Sequence, residues 1–275
     1  MCGRYASSRN AADLAAAFDV EEAPEQPLPA SYNVAPTDPV FVVLQREATR
    51  RLTVMRWGLV PSWAKDAKGA ARLINARRDT VHSKPAFRAA FQRRRCLLPA
   101  DGYYEWQVDG THKQPYFLSA RAGGPLAMAG VYEVWAPPQG KRLWTCTVIT
   151  TEAADELGHI HDRTPLLVEP PNWARWLDPT VEDLEPDTTL DVDRDDLRHS
   201  RVGIVAANDG VLTGDRNETG PHVLQACPEP TVVCHVHEVD SDVAIDVHGS
   251  SSSQNTRPWT ARVRDRIAEA AIQQA

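Results

Sequence analysis

An α+β fold, a curved, barrel-like antiparallel β-sheet with peripheral helices, is the class this sequence predicts, and three observations carry the prediction. Eight short segments rich in β-branched, aromatic and other apolar residues recur between turn signals, at 40–45, 52–57, 95–99, 103–108, 115–119, 126–134, 143–150 and 164–169. Asp109-Gly110 between two of them is a hairpin signal. Helical stretches are few and short, so they belong at the periphery of a sheet.

In chain order, Asn10 with Asp13 three residues later caps a first helix that runs to Phe18. Residues 21–30 hold three prolines and four acids or amides and form an extended connector. Further helices are expected over 76–81, over 84–92 behind a Ser83 cap, over 152–158, and over 171–177, where Pro171 suits a first turn. No internal repeat is present. One folded unit is expected over 1–236. An acidic and polar linker follows over 237–258, then a short amphipathic helix over 259–275 with Val263, Ile267 and Ile272 roughly in register.

Composition narrows the function classes. The chain has 275 residues, 42% of them hydrophobic, without an apolar run of membrane-spanning length or a basic-then-apolar leader. A cytoplasmic protein with no membrane partner is therefore expected. Five cysteines without a CxxC pair argue against a disulfide framework, and Cys96 and Cys146 read as core. Cys227, Cys234, His235 and His237 alternate along a strand-like segment, whereas zinc sites pair close ligands across a turn, so neither metal nor cofactor is expected. Net charge is -7, but residues 61–100 hold ten Lys/Arg against two acids, while 151–200 hold fourteen acids against four Arg. A basic region of that kind suits either a phosphate backbone or a solvated face.

Met1-Cys2-Gly3-Arg4 opens the chain. Removal of Met1 would leave Cys2 with its α-amine and thiol on one residue, a 1,2-aminothiol able to capture an aldehyde. Other clusters unite reactive and rigid residues: Tyr32-Asn33-Val34-Ala35-Pro36, Trp57-Gly58-Leu59-Val60-Pro61-Ser62-Trp63, Asn75-Ala76-Arg77, the run from Arg95 through Tyr103-Tyr104-Glu105-Trp106, and His161-Asp162-Arg163-Thr164-Pro165. Their order and spacing, from Cys2 to about Pro228, resemble the SOS-response-associated peptidase (SRAP) family, whose members crosslink to abasic sites in single-stranded DNA.

The resemblance implies an abasic-site sensor of the DNA damage response. Its 1–236 unit would be both catalytic and DNA-binding, with peptidase activity toward Met1 and a lyase-type activity. It implies a monomer whose partner is single-stranded DNA containing abasic sites, placed on the nucleoid in a prokaryote. The catalytic set it implies is Cys2, Asn75, Glu105 and His161. Cys2 amine and thiol would close a thiazolidine on the sugar aldehyde, chemistry accessible because an α-amine titrates at about 7.7 to 8.0 and a thiol at about 8.5. Glu105, in an aromatic strand, would move protons with a desolvated, raised pKa, although an alternating strand can equally point it outward. His161 would help open the ring, with His159 two residues away as the competing imidazole. Asn75 would hold the sugar or the terminal amine, and Asn33 would wall the site. Arg4, Arg77 and Arg163 would bind flanking phosphates, and Trp63 would stack on a base or else pack beneath its loop.

Three departures from the family pattern stand out. The late family segment is stretched at Asn208-Asp209-Gly210 through Asn217-Glu218-Thr219-Gly220-Pro221, so no residue role is carried over beyond Arg163. Thr164 occupies a place usually held by Met, which is expected to loosen packing under the site, and Asp79 replaces a usual Glu after Asn-Ala-Arg. Two competing readings are a non-enzymatic reader of single-stranded or modified DNA and an N-terminal-Cys hydrolase or peptidase.

Overall fold

In a computed structural model, residues 2–137, 139–153 and 158–181 are described, together with the backbone of 197–201, 234–239 and 242–247. The expected strands appear as β3 Pro39–Arg46, β4 Thr49–Trp57, β6 Arg95–Ala100, β7 Gly102–Asp109, β8 His112–Ala120, β9 Leu126–Trp135 and β10 Leu143–Glu152, whereas the strand expected over 164–169 is confined to β11 Arg163–Pro165, with a single bridge at Leu167 beyond it. Three further strands, β1 Arg4–Ser7, β2 Ser31–Val34 and β5 Asn75–Arg77, are too short for an alternation pattern to reveal them. β12 Leu197–Arg201 adds to β8, and β13 Cys234–Val239 pairs with β14 Asp242–Val247.

Two sheets result. One runs β12-β8-β7-β1-β2. In the other, β10, β4, β3, β6 and β9 pair in a circuit that returns to β10, which gives the expected barrel-like curvature. This sheet is mixed, because β10 runs parallel to both β4 and β5. β11 wedges in where β9 and β10 part: Leu166 N–H donates to Ile149 O, and Ala129 N–H donates to Leu166 O. Successive residues of β3 serve two cores. Phe41 and Val43 pack with the helices, whereas Val40, Val42 and Leu44 pack with Tyr5, Tyr103 and Leu118 of the other sheet. Burial on both faces explains why this strand reads as a continuous apolar run.

Helix α1, Ala11–Ala17, is capped as expected, with Asn10 Oδ1 accepting from Asp13 N–H. The other helices need correction. Residues 75–77 are strand β5, and only Arg78–Val81 coils, as α2. Helix α3 is Arg88–Arg93, and Ser83 does not cap it, its hydroxyl donating instead to Thr80 O. Pro170–Asn172 form a 3₁₀ turn before α4, Trp173–Leu177. Of the expected helix 152–158, Glu152 belongs to β10 and 154–157 lie outside the described residues. The hairpin of β7 and β8 turns through Gly110-Thr111, with Gly110 at φ +58°. The expected linker begins inside the β13–β14 pairing, so 237–239 and 242–247 are strand, and 248–275 lie outside the described residues. No helix among the described residues is long and apolar enough to cross a membrane.

Arg95 ties α3 and α4 to the barrel-like sheet. Its guanidinium is buried and donates to the carbonyls of Phe91, Gln92, Trp176, Asp178 and Val181. Desolvation lowers its pKa to about 10, so it stays charged at neutral pH. The basic stretch thus includes one cation that is structural and unavailable to a nucleic acid. Replacing Arg95 with Met strips five carbonyls of their donor, and the expected loss of stability is on the order of 3 kcal/mol, measured by urea unfolding.

Candidate active site

The chain start is anchored by strand pairing. Arg4 lies opposite Tyr104, Tyr5 opposite Tyr103 and Ala6 opposite Gly102. Asp101 braces the far end of β1, accepting from Ser8 N–H at 2.5 Å and from Arg9 Nε at 3.0 Å. Cys2 is consequently buried, packed with the core that includes Tyr5, Trp57 and Cys146. β5 closes in from the other sheet, where its Asn75 donates through Nδ2 to Cys2 O at 2.7 Å. Asn75 Oδ1 is buried with no hydrogen-bond partner among the described residues, which leaves an acceptor at the site.

Glu105 is also buried, at 3% exposure, so the outward-facing alternative is excluded. Alternation on β7 turns Tyr103, Glu105 and Gln107 to one face and Tyr104 and Trp106 to the other. Burial pushes the Glu105 carboxyl up to about 7, against the lowering pull of the positive chain terminus. The Cys2 thiol is likewise raised well above its ordinary value, first by burial and then by Glu105, more than the terminus and the Arg4 amide lower it. At neutral pH the thiol is held as S–H.

His161 follows Ile160 into the same region. Arg163 N–H donates to His161 Nδ1 at 2.9 Å, while Asp162 Oδ1 lies 2.8 Å from that nitrogen. The two contacts exclude one another, because the first needs a lone pair on Nδ1 and the second needs a proton. Burial, aided by the positive chain terminus, lowers the ring's pKa, and Asp162 is 84% exposed to competing solvent. A neutral ring with its proton on Nε2 follows. Cys2 packs in one cluster with Tyr103, two residues before Glu105 on β7, and with Ile160, the neighbour of His161, so the three groups share one locality. His159 is exposed on the rim, where its carbonyl accepts from Gln107 Nε2 at 3.1 Å.

Outside this cluster the groups sort by exposure. Arg4 Nη1 donates to Asn33 Oδ1 at 3.1 Å, so Asn33 braces an arginine rather than walling the site alone. Arg77 is 53% exposed and uses Nε to hold Asp79 at 3.1 Å. Arg163 departs from its expected role as a surface phosphate ligand: it is 8% exposed, and Nη2 donates to Thr150 O and Oγ1 across the β10–β11 pairing. Trp63 is 68% exposed, so it does not pack beneath its loop. That loop departs from β4 at Gly58, φ +119°, where a Cβ would sit 2.6 Å from Ala70 O. Trp135 Nε1–H then pins it through Ala64 O at 2.8 Å.

Thr164 does not loosen its surroundings. Its Oγ1 is hydrogen-bonded at 2.7 Å to the hydroxyl of buried Tyr103, a pair a Met at that position would lack. Sequence reasoning missed Tyr103 and Gln107, although their spacing of two from Glu105 on an alternating strand was the available signal. Among the described residues no cluster of His, Cys, Asp and Glu is arranged to hold a metal.

With this geometry in hand, comparison with known proteins is specific. Abasic site processing protein YoaM of Bacillus subtilis is 38% identical over 206 residues, spanning 74% of this chain and 91% of that protein. Abasic site processing protein HMCES of Gallus gallus is 35% identical over 220 residues, 65% of this chain and 66% of that protein. A crystal structure of a protein from Bacteroides thetaiotaomicron superposes with a TM-score of 0.65 at 25% identity, covering 73% of this chain and 92% of that one. The SOS response associated peptidase (SRAP) family description matches residues 1–204, and the chain belongs to that family.

Proposed function

We propose that this protein processes abasic sites in single-stranded DNA by covalent capture on Cys2 once Met1 has been removed. The observation that carries the reading is the meeting of Cys2, Asn75 and Glu105 between two sheets, with neutral His161 sharing their electrostatic neighbourhood. The names of relatives such as YoaM and HMCES support the substrate class.

The Cys2 amine attacks the C1′ aldehyde of the opened sugar to give a carbinolamine, which loses water to form a Schiff base. The S–H then adds across the C=N bond, sulfur to carbon and proton to nitrogen, closing the thiazolidine. A carboxyl with pKa about 7 both takes and returns protons near neutrality, which suits Glu105 to both steps. His161 Nε2–H is suited to hydrogen-bonding the departing ring oxygen, with the protonated fraction of Glu105 supplying the proton, and Asn75 Oδ1 to orienting the amine. The Schiff base alone would permit elimination of the 3′ phosphate, a lyase outcome that ring closure suppresses. Glu105 beside Cys2 is also suited to assisting removal of Met1. Arg4, exposed Arg77 and exposed Trp63 supply phosphate and base contacts for one strand.

Intact mass spectrometry after mixing with single-stranded DNA carrying one abasic site tests the reading. A stable adduct is expected from protein beginning at Cys2, and none from Cys2→Ala or from protein retaining Met1. A normal yield from the Met1-retaining form would falsify it.

Glu105→Gln should slow adduct formation on the order of 10² to 10⁴ while DNA binding survives. The same substitution has a stability signature. Because the folded pKa of about 7 lies above the unfolded 4.5, the native state holds the proton more tightly, and stability is lost as pH rises through that window. Glu105→Gln should therefore be more stable than wild type at pH 8, by about 3 kcal/mol, with the difference vanishing near pH 4. Urea melts across pH check this.

Salt titration of DNA binding should show Arg77→Ala flattening the slope of log affinity against log salt by about 0.7, with base identity mattering little. Trp63→Ala should weaken binding by about 1 to 3 kcal/mol without altering that slope.

A further inference from the structure

Two residues on the Glu105 face of β7 hold the segment 159–164, one on either side of Glu105. At one end Tyr103 Oη and Thr164 Oγ1 share a buried hydrogen bond of 2.7 Å. At the other end Gln107 Nε2 donates to His159 O at 3.1 Å. Glu105 lies between them on the same face of the strand, so the stretch of chain suspended between the two anchors, which contains His161, spans Glu105. Gln107 is itself aimed from the neighbouring strand, where Tyr116, opposite Glu105 in register, donates its hydroxyl to Gln107 Oε1 at 3.0 Å. Inside the suspended stretch the Arg163 amide fixes His161 Nδ1, and Ala153 N–H donates to Asp162 O.

The geometry points to Tyr103 and Gln107 as positioning residues that hold the 159–164 segment across β7 so that His161 Nε2 is presented to Glu105 and to the sugar bound there. Neither side chain touches the reacting atoms; both act through His161. The inference rests on the proposed capture chemistry and adds to it what aligns the group that hydrogen-bonds the departing ring oxygen. The two anchors differ in kind. The Tyr103–Thr164 pair is buried, and removing one hydroxyl strands the other. The Gln107 bond lies at the rim, where it sets alignment with little demand on the fold. Among the described residues, the charged groups that bear on His161 are Asp162, Arg163 and the chain terminus, none of which either substitution removes.

Gln107→Leu and Tyr103→Phe test this in the full chain, with time courses of adduct formation on a single-stranded oligonucleotide bearing one abasic site. Each should slow the reaction about tenfold, while affinity for the undamaged strand stays unchanged. Tyr116→Phe, which removes only the brace on Gln107, should cost less. In a His161→Ala background, Gln107→Leu should add less than about a twofold loss, because the group it aligns is gone. A wild-type rate in Gln107→Leu, or an equal loss with and without His161, overturns the inference.

A second readout is independent of the chemistry. In a nuclear magnetic resonance titration of the His161 ring, Gln107→Leu should release the segment toward water and raise the midpoint toward about 6.5. An unchanged midpoint overturns the positioning role. If wild-type protein forms no adduct at all, the proposed function fails, and this titration still decides whether Gln107 positions His161.

Discussion

The antiparallel pairing of Arg4–Ser7 with Gly102–Asp109 is the constraint on which the site depends. It takes a chain start, ordinarily a frayed segment, and fixes it inside a five-stranded sheet, between β7 and β2. Four residues of strand would not hold on their own, and the anchoring is shared. Asp101 clamps Ser8 and Arg9, Tyr5 sets its ring edge-on against Trp57 at 5.3 Å, and Asn75 reaches across from the other sheet to Cys2 O. Cys2 is thereby brought against the face of β7 that carries Glu105.

Burial then sets the chemistry. Desolvation moves Glu105 up to about 7, keeps the Cys2 thiol protonated and keeps His161 neutral, so three groups are tuned by one physical cause. A buried carboxyl is costly to the fold, and the surrounding structure must supply that stability. The double-faced core around β3 and the Arg95 clasp on α3 and α4 are where it does so. Stability concentrated in the barrel-like sheet leaves the site free to hold a group in an unfavourable protonation environment.

The arginines show how exposure divides a charge cluster that looks uniform in composition. Arg95 is consumed by carbonyls, Arg163 braces β11 on β10, Arg94 pairs with Glu133 at 2.8 Å, and Arg77 stays at the surface with its Nε on Asp79. A count of ten basic residues over 61–100 therefore overstates the charge available to a nucleic acid.

Strand identity, the two-residue hairpin, the Asn10 cap and the burial of Cys96 and Cys146 were legible in the sequence, because each depends on local pattern or local turn chemistry. The motif set from Cys2 to His161 was legible too, since reactive residue types at fixed order mark a site before any fold is known. What sequence alone left open was set by long-range pairing. Ala76 and Arg77 are strand and not helix because β10 captures them in parallel, and Trp63 is exposed while Trp135, from outside the motif, pins its loop through Ala64 O. Glu105 faces inward, Arg163 is held inside and Thr164 finds Tyr103 for the same reason. Each outcome depends on which segments distant in sequence pack together, and a one-dimensional pattern records periodicity while only the tertiary structure chooses the partner.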